Sequence, residues 1–245
     1  MEHKPEIPTL GIFSEVAPKY EFLNTVMTAG MDRRWRHTML EVCESALGKS
    51  PLAILDLATG TGDVARLMAE RWPLSQVVGS DPTPAMLQLA REKALKEKDR
   101  KNKKVIEWRE GVAEKIDADS QSMDIVTIAF GFRNVPEASR QRACEEAFRV
   151  LKPGGIFAIL ELGLPKGKAI KPLYRFLLKQ GMPRFAGLFS PRPAYDYLAE
   201  SVIAFPPPEQ IRKMLGKSGF LAFAPRPLSL GMCWLYVGKR PVSEN

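Results

Sequence analysis

Apolar runs alternate with helical patterns along the middle of this chain. Between the runs, apolar positions recur three or four residues apart, which predicts helices, including one over 136–151 that the Lys-Pro-Gly-Gly sequence should end. Strands that alternate with helices predict a parallel sheet covered on both faces. The five apolar runs, each predicted as a strand, cover residues 53–58, 75–81, 105–111, 124–130 and 156–162.

The segments on either side carry different patterns. Residues 13–47 have helical spacing interrupted near Gly30, which predicts two N-terminal helices. A proline-initiated helix over 206–220 and strands near 221–229 and 232–238 should complete the sheet. The last strand follows a turn, so we expect it to be antiparallel to its neighbours. These patterns predict one α/β domain with an N-terminal helical cap at 13–48, a core at 52–163, a helical cap at 164–205, and a final helix with strands at 206–240.

The composition is that of a soluble globular protein of 245 residues with a net charge of +8. Three cysteines lie far apart without a CxxC pair, which favours a reducing, cytoplasmic setting and argues against a zinc site. No apolar run is long enough to span a bilayer, and the N-terminus has no signal-peptide pattern. Residues 162–195 contain seven Lys and Arg and no Asp or Glu, so an anionic partner is a candidate.

The first candidate site lies in ILDLATGTGD, residues 54–63, where a strand turns into a helix at Gly60 and Gly62. Glycines there let the backbone approach a ligand, and the absence of a third glycine argues against an NAD-dependent dehydrogenase. Asp56, just before the loop, suits a cationic or amino-acid-bearing ligand. Asp81 ends the next strand, where a carboxylate can accept hydrogen bonds from ribose hydroxyls or can cap the following helix.

Seven segments carry a resemblance over nearly the whole chain: KYEFLNTVMTAGMDRRWR (19–36), LDLATGTGD (55–63), SDPTPAML (80–87), FGFRNVPE (130–137), AFRVLKPGG (147–155), LEL (160–162) and YDYLAESVIAFP (195–206). The sequence is similar to the class I S-adenosylmethionine-dependent methyltransferases, and within them it resembles the UbiE/MenG/COQ5 family of quinone C-methyltransferases. The glycine loop is shared by the superfamily, whereas FGFRNVP followed by RVLKPGG is specific to the quinone group.

The resemblance implies a Rossmann-like class I methyltransferase fold. Its sheet would be seven-stranded and mostly parallel with an antiparallel last strand, and N-terminal helices and a helical insertion would cover the site. The implied cofactor is S-adenosyl-L-methionine, with its ribose at Asp81. The family usually has Asn-Ala where this chain has Val112 and Ala113, so a backbone contact would be kept there and a side-chain amide contact would not. The implied cofactor-binding residues are Asp56, Thr59, Gly60, Thr61, Gly62, Asp81, Pro82, Met86, Gly111, Val112, Ala113 and Ala129.

The candidate catalytic residues are Arg133 and Asn134, which follow a buried strand in VTIAFGFRNVPE. Methylation of a quinol carbon needs a ring hydroxyl to lose its proton; Arg133 could then stabilise the phenolate and Asn134 could hold a ring oxygen. The alternative is that the pair only caps the following helix and bonds carbonyl groups. The resemblance favours the catalytic role, and Gly131 is expected to let the chain turn. The implied substrate-binding residues are Tyr20, Asn24, Phe130, Phe132 and Tyr195.

The expected function is C-methylation of a prenylated quinol in menaquinone or ubiquinone biosynthesis, with demethylmenaquinol favoured. The alternatives are methylation of another small molecule and, because of the basic charge, RNA binding or modification, although no NPPY-like segment for a flipped base is present. We expect neither a metal nor a nucleic acid as partner. The basic, aromatic segment predicts peripheral contact with an anionic membrane at its inner face, and a homodimer is left open.

Overall fold

The structure is a computed structural model that describes residues 28, 30–49, 52–98, 106–165, 167, 170–176 and 192–242. The first predicted N-terminal helix lies outside these residues. The described helices are α1 (Met31–Leu47), α2 (Asp63–Arg71), α3 (Pro84–Lys98), α4 (Arg140–Val150), α5 (Ile170–Phe176), α6 (Arg192–Ala204) and α7 (Pro208–Lys217). The strands are β1 (Ala53–Leu57), β2 (Gln76–Asp81), β3 (Ile106–Glu110), β4 (Met123–Ala129), β5 (Leu151–Leu162), β6 (Leu221–Ala222), β7 (Arg226–Leu228) and β8 (Cys233–Lys239). None of the described helices has the length and apolar character needed to cross a membrane.

The strands form one sheet in the order β3-β2-β1-β4-β5-β8-β6, and β7 also pairs with β8. Strands β1 to β5 are parallel to one another, and β8 is antiparallel to β5. The predicted mostly parallel sheet with an antiparallel last strand is therefore confirmed. The strand order changes direction between β1 and β4, and ligands of open α/β sheets bind at the carboxyl ends of strands at such a point.

The single strand predicted over 221–229 is wrong, because this segment forms the two short strands β6 and β7, both paired with β8. The backbone N–H of Phe223 still donates to the carbonyl of Val237 at 3.0 Å. The ladder then breaks at Pro225, which has no N–H to donate. The two pieces together take the place of a seventh strand, so the described sheet has eight strand segments rather than the expected seven.

Two boundaries beside the site also differ from the prediction. The helix expected over 136–151 is a 3-10 turn, Glu137–Ser139, followed by α4. Strand β5 begins at Leu151 instead of 156, and a register shift in its pairing with β4 accommodates the extra residues. Gly154 stays on the sheet with a φ of 83° and donates its N–H to the carbonyl of Arg240 at 2.9 Å. The helix therefore ends at Val150, before the glycine pair, and both glycines lie within β5.

Two apolar clusters cover the two faces of the sheet. Helices α1 and α2 pack on one face, and α4 and α7 pack on the other. Because both faces are covered, the central strands are apolar on both sides. Along β1, alternation sends Ile54 to the α1–α2 face and Leu55 and Leu57 to the opposite one. Asp56 shares the face of Ile54, so a carboxyl group is buried under α1 and α2 near the strand end.

Candidate active site

A cavity of about 270 Å³ opens where β1, β2 and β4 end. Among the residues predicted from the sequence, Gly62, Phe132 and Arg133 do not line it. Tyr20, Asn24 and the side chain of Tyr195 lie outside the described part of the chain. No group of three or more His, Cys, Asp or Glu side chains suited to a metal occurs among the described residues. The predicted residues that do line the cavity are Asp56, Thr59, Gly60, Thr61, Asp81, Pro82, Met86, Gly111, Val112, Ala113, Ala129, Phe130 and Asn134.

The two glycines of the loop after β1 have different environments. Gly60 has a φ of 57°, borders the cavity, and donates its N–H to Asp81 Oδ2 at 2.8 Å. Gly62 has a φ of 83°, and a Cβ added there would lie 2.4 Å from the indole ring of Trp108 on β3. The structure therefore supports close approach to a ligand for Gly60. At position 62 a glycine is needed for two structural reasons: the backbone has a left-handed conformation, and the ring of Trp108 leaves no space for a Cβ.

Asp56 is a buried carboxyl group at the base of the cavity. Its two oxygens accept hydrogen bonds from the hydroxyls of Thr59 at 2.6 Å and Thr127 at 2.7 Å. Burial raises the pKa of Asp56 to about 6, although both hydroxyls and the charge of Arg36 oppose the rise. The group therefore ionises close to neutral pH, and its carboxylate form is well suited to a cationic ligand.

The raised pKa of Asp56 predicts a pH-dependent cost in stability. Between about pH 4 and pH 6 the folded state binds more protons than the unfolded state, so stability falls as the pH rises through this window. Above it the cost approaches about 3 kcal/mol. We expect Asp56→Asn to remove this cost, so that the variant gains stability over the native protein as the pH rises from 4 to 7. Urea unfolding at several pH values measures the difference; a difference independent of pH would contradict it, and exposed Asp119→Asn is the control.

Asp81 joins the loops that follow β1 and β2. Its Oδ2 accepts the N–H of Gly60, and its Oδ1 accepts the N–H of Thr83 at 2.9 Å. Because α3 begins at Pro84, the second bond orders the turn just before the helix. Burial raises the pKa of Asp81, and the carboxyl group borders the cavity. Each carboxylate oxygen can accept a further hydrogen bond, so the turn contact and a ribose contact are compatible.

The turn after β4 takes its shape from Phe130 and not from Gly131. Phe130 has a φ of 57°, whereas Gly131 has a φ of −114°, which other residues also adopt. Gly131 is needed for space, because a Cβ there would lie 2.5 Å from the Cβ of Ala58. The prediction that Gly131 supplies conformational freedom to the turn is therefore wrong. The glycine allows the ends of β1 and β4 to approach each other closely.

Arg133 lies behind the cavity in a buried ion pair with Glu161 of β5. Its Nη1 is 2.8 Å from Glu161 Oε1 and also bonds the carbonyl of Phe130, and its backbone N–H donates to Glu161 Oε2 at 2.9 Å. The two side chains are 1% and 0% exposed. Arg140 donates to the carbonyls of Arg133 and Val135. These contacts agree with the carbonyl-bonding alternative for Arg133 and do not support direct contact with a ligand.

Asn134 is the member of the Arg-Asn pair that borders the cavity. Its Oδ1 accepts a hydrogen bond from the hydroxyl of Tyr197 on α6 at 3.1 Å. A contact that uses the amide oxygen leaves the amide N–H groups for another partner. The structure thus separates two neighbours in sequence: Arg133 holds the turn from behind, and Asn134 faces the cavity.

Sequence reasoning missed Arg36 of α1, which borders the cavity. Its side chain is 12% exposed, and its guanidinium lies 5.5 Å from the centroid of the Phe130 ring. One signal in the sequence could have identified it. Arg36 lies four and seven positions before Leu40 and Cys43, so helical periodicity places this cation on the buried face of α1. Asp63, Val64, Thr83 and Glu114 also line the cavity without having been predicted.

Comparisons with known proteins identify the family and agree with the fold. The profile of the ubiE/COQ5 methyltransferase family matches residues 2–240. A demethylmenaquinone methyltransferase from Thermus thermophilus is 41% identical over 231 residues, covering 94% of this chain and 100% of that protein. The ubiquinone/menaquinone biosynthesis C-methyltransferase UbiE from Syntrophotalea carbinolica is 39% identical over 239 residues, covering 98% and 97%.

Solved structures show the same fold at low sequence identity. A putative methyltransferase from Haloferax volcanii, in complex with the Trm112 methyltransferase activator, has a TM-score of 0.64 and 16% identity, covering 94% of this chain and 97% of that one. A putative methyltransferase from Bacillus halodurans has a TM-score of 0.59 and 20% identity, covering 84% and 99%. With the family profile matching nearly the whole length, this chain belongs to the ubiE/COQ5 methyltransferase family.

Proposed function

We propose that this chain transfers a methyl group from S-adenosyl-L-methionine to a ring carbon of a prenylated quinol in menaquinone or ubiquinone biosynthesis. Demethylmenaquinol is the favoured substrate. The observation that carries the proposal is the full-length similarity to a demethylmenaquinone methyltransferase, together with a cavity at the strand ends where the family motifs meet. Methylation of another small molecule is the alternative within the same chemistry.

The residues of the cavity fit this cofactor. Asp56 and Asp81 offer carboxylates to its ammonium group and its ribose hydroxyls, and apolar Met86, Val112 and Ala113 offer a surface for the adenine. Here the family's usual Asn-Ala is Val-Ala, so only backbone groups of Val112 can supply hydrogen bonds. When bound, S-adenosylmethionine supplies an electrophilic methyl group on a sulfonium. The chain itself has to hold the acceptor carbon close and in line.

The turn after β4 would position the acceptor ring. A quinol carbon becomes a good nucleophile when a neighbouring hydroxyl ionises, so a donor held at that oxygen favours the reaction. We assign this role to the amide of Asn134, which borders the cavity and is fixed by Tyr197. Arg133 and Glu161 then act as positioning residues, because they hold Phe130 and the backbone that carries Asn134.

Contact with a membrane surface is part of the proposal. Two apolar side chains of α5, Ile170 and Phe176, are 41% and 54% exposed. They belong to the basic segment 162–195, much of which lies outside the described residues. Exposed apolar groups among cations suit a bilayer with anionic headgroups, where each cation contributes about 1 kcal/mol.

A methyl-transfer assay with substrate in vesicles tests the proposal. The purified chain and methyl-labelled S-adenosylmethionine are mixed with demethylmenaquinol or with a polyprenyl benzoquinol that lacks the ring methyl, each in anionic or neutral vesicles. We expect label on a ring carbon of demethylmenaquinol, with faster transfer in anionic vesicles at low salt. No labelled quinol, or label in an added RNA instead, would contradict the function. Equal rates in anionic and neutral vesicles would contradict only the proposed contact with anionic membranes and would leave the methyl-transfer function standing.

A further inference from the structure

Among the described residues, Arg36 is the only cationic side chain that borders the cavity. An acidic residue of the same helix, α1, holds its guanidinium in place. Its Nη1 lies 2.7 Å from Oδ2 of Asp32, and Asp32 Oδ1 accepts the hydroxyl of Thr28 at 3.0 Å. The guanidinium also lies over the ring of Phe130. These contacts hold the cation against the turn after β4, at the wall of the cavity.

Part of the guanidinium is available to a ligand. Its Nε is buried and has no hydrogen-bond partner among the described residues. Its Nη2 is 3.5 Å from Asp63 Oδ2, a long contact, and the other oxygen of Asp63 is 2.5 Å from Arg66. Arg36 borders the cavity, so a carboxylate there can approach Nη2, whose contact with Asp63 is long, while the buried Nε stays a donor without a partner among the described residues. Asp63 would keep Arg66 as its partner.

The charges around the cavity specify what kind of ligand can approach Arg36. Four carboxyl groups, Asp56, Asp63, Asp81 and Glu114, share the lining with this single guanidinium. A simple anion would be repelled by the carboxylates. A ligand with a cationic group and one carboxylate is complementary to this lining. Its cationic group can lie near the carboxyl groups, and its carboxylate can bind Arg36, the only cationic side chain described at the cavity wall.

We propose that Arg36 binds the carboxylate of the amino-acid end of S-adenosylmethionine. This inference rests on the proposed function and names the residue of this chain that recognises that end of the cofactor. Arg36 belongs to α1, whereas Asp56 and Asp81 belong to the sheet, so the ligand joins the N-terminal helix to the strand ends. Binding of the cofactor thereby helps to fix α1 over the cavity.

Calorimetry with two matched ligands tests the assignment. S-adenosylhomocysteine carries both the ammonium and the carboxylate, and its decarboxylated analogue lacks only the carboxylate. We expect the native protein to bind S-adenosylhomocysteine about tenfold to a hundredfold more tightly than the analogue, because a charge-assisted contact is lost. Arg36→Met should abolish this preference, and Arg36→Lys should keep part of it, because lysine retains the charge without the planar fork.

The measured quantity is the ratio of the two dissociation constants in one protein. A substitution that weakens the binding of both ligands equally leaves this ratio unchanged. Arg34→Met, an exposed arginine of the same helix, is the matched control and should keep the native ratio. A native ratio in Arg36→Met, or equal binding of the two ligands by the native protein, would overturn the role of Arg36. If the native protein binds neither ligand, the proposed cofactor itself is wrong, so the two failures are distinguishable.

Discussion

Replacing Glu161 with glutamine is expected to lower the free energy of unfolding by about 3–5 kcal/mol and to lower kcat. Glu161 is fully buried and is the counter-charge of Arg133, and it also accepts the backbone N–H groups of Arg133 and Leu162. The neutral amide leaves a buried guanidinium without its partner. The turn that carries Phe130 and Asn134 should then relax. Urea unfolding and steady-state kinetics measure the two effects.

The double variant Glu161→Gln/Arg133→Met separates stability from positioning. It removes both buried charges, so much of the lost stability should return. Turnover should stay low, because the turn still lacks its contacts, while affinity for S-adenosylhomocysteine stays near the native value. If native turnover returned with stability, the ion pair would be structural only. Glu145→Gln, an exposed glutamate of α4 with a 3.9 Å contact to Arg142, is the matched control.

Asp81→Asn is expected to weaken binding of S-adenosylhomocysteine by about a hundredfold or more. Both oxygens of Asp81 accept backbone N–H groups, from Gly60 and Thr83. An asparagine must place its NH₂ group against one of these donors, so one loop loses its contact and a negative charge is lost as well. Calorimetry measures the affinity, and thermal unfolding reports any cost to the fold.

Asp119→Asn, at an exposed position, controls for a general effect of removing one negative charge. Asp81→Glu is the second variant. It keeps the negative charge, but its side chain is one methylene longer and places the carboxylate oxygens differently. It should stay well below native affinity if the position of the oxygens matters. Native affinity in Asp81→Asn would mean that Asp81 only orders the turn before α3, which is the capping alternative.

Much of the site's location could be predicted because its signals are local. The glycine loop, Asp56 and Asp81 each follow directly from an apolar run and a turn, and parallel strands bring their carboxyl ends to one edge. The same reasoning failed for Gly131 and Arg133. Their surroundings come from Ala58 on β1 and Glu161 on β5, which lie far away along the chain. No local pattern encodes such contacts.

The sequence by itself therefore determined the alternation of strands and helices, the family, and the strand ends where chemistry is expected. These properties depend on side-chain periodicity and on motifs within a few residues. Only the tertiary structure decided that Arg133 is paired behind the cavity, that Asn134 faces it, and that Arg36 of α1 borders it. Sheet order and helix packing bring these groups together, and the free energy of burying a charge then selects which polar groups must be partnered.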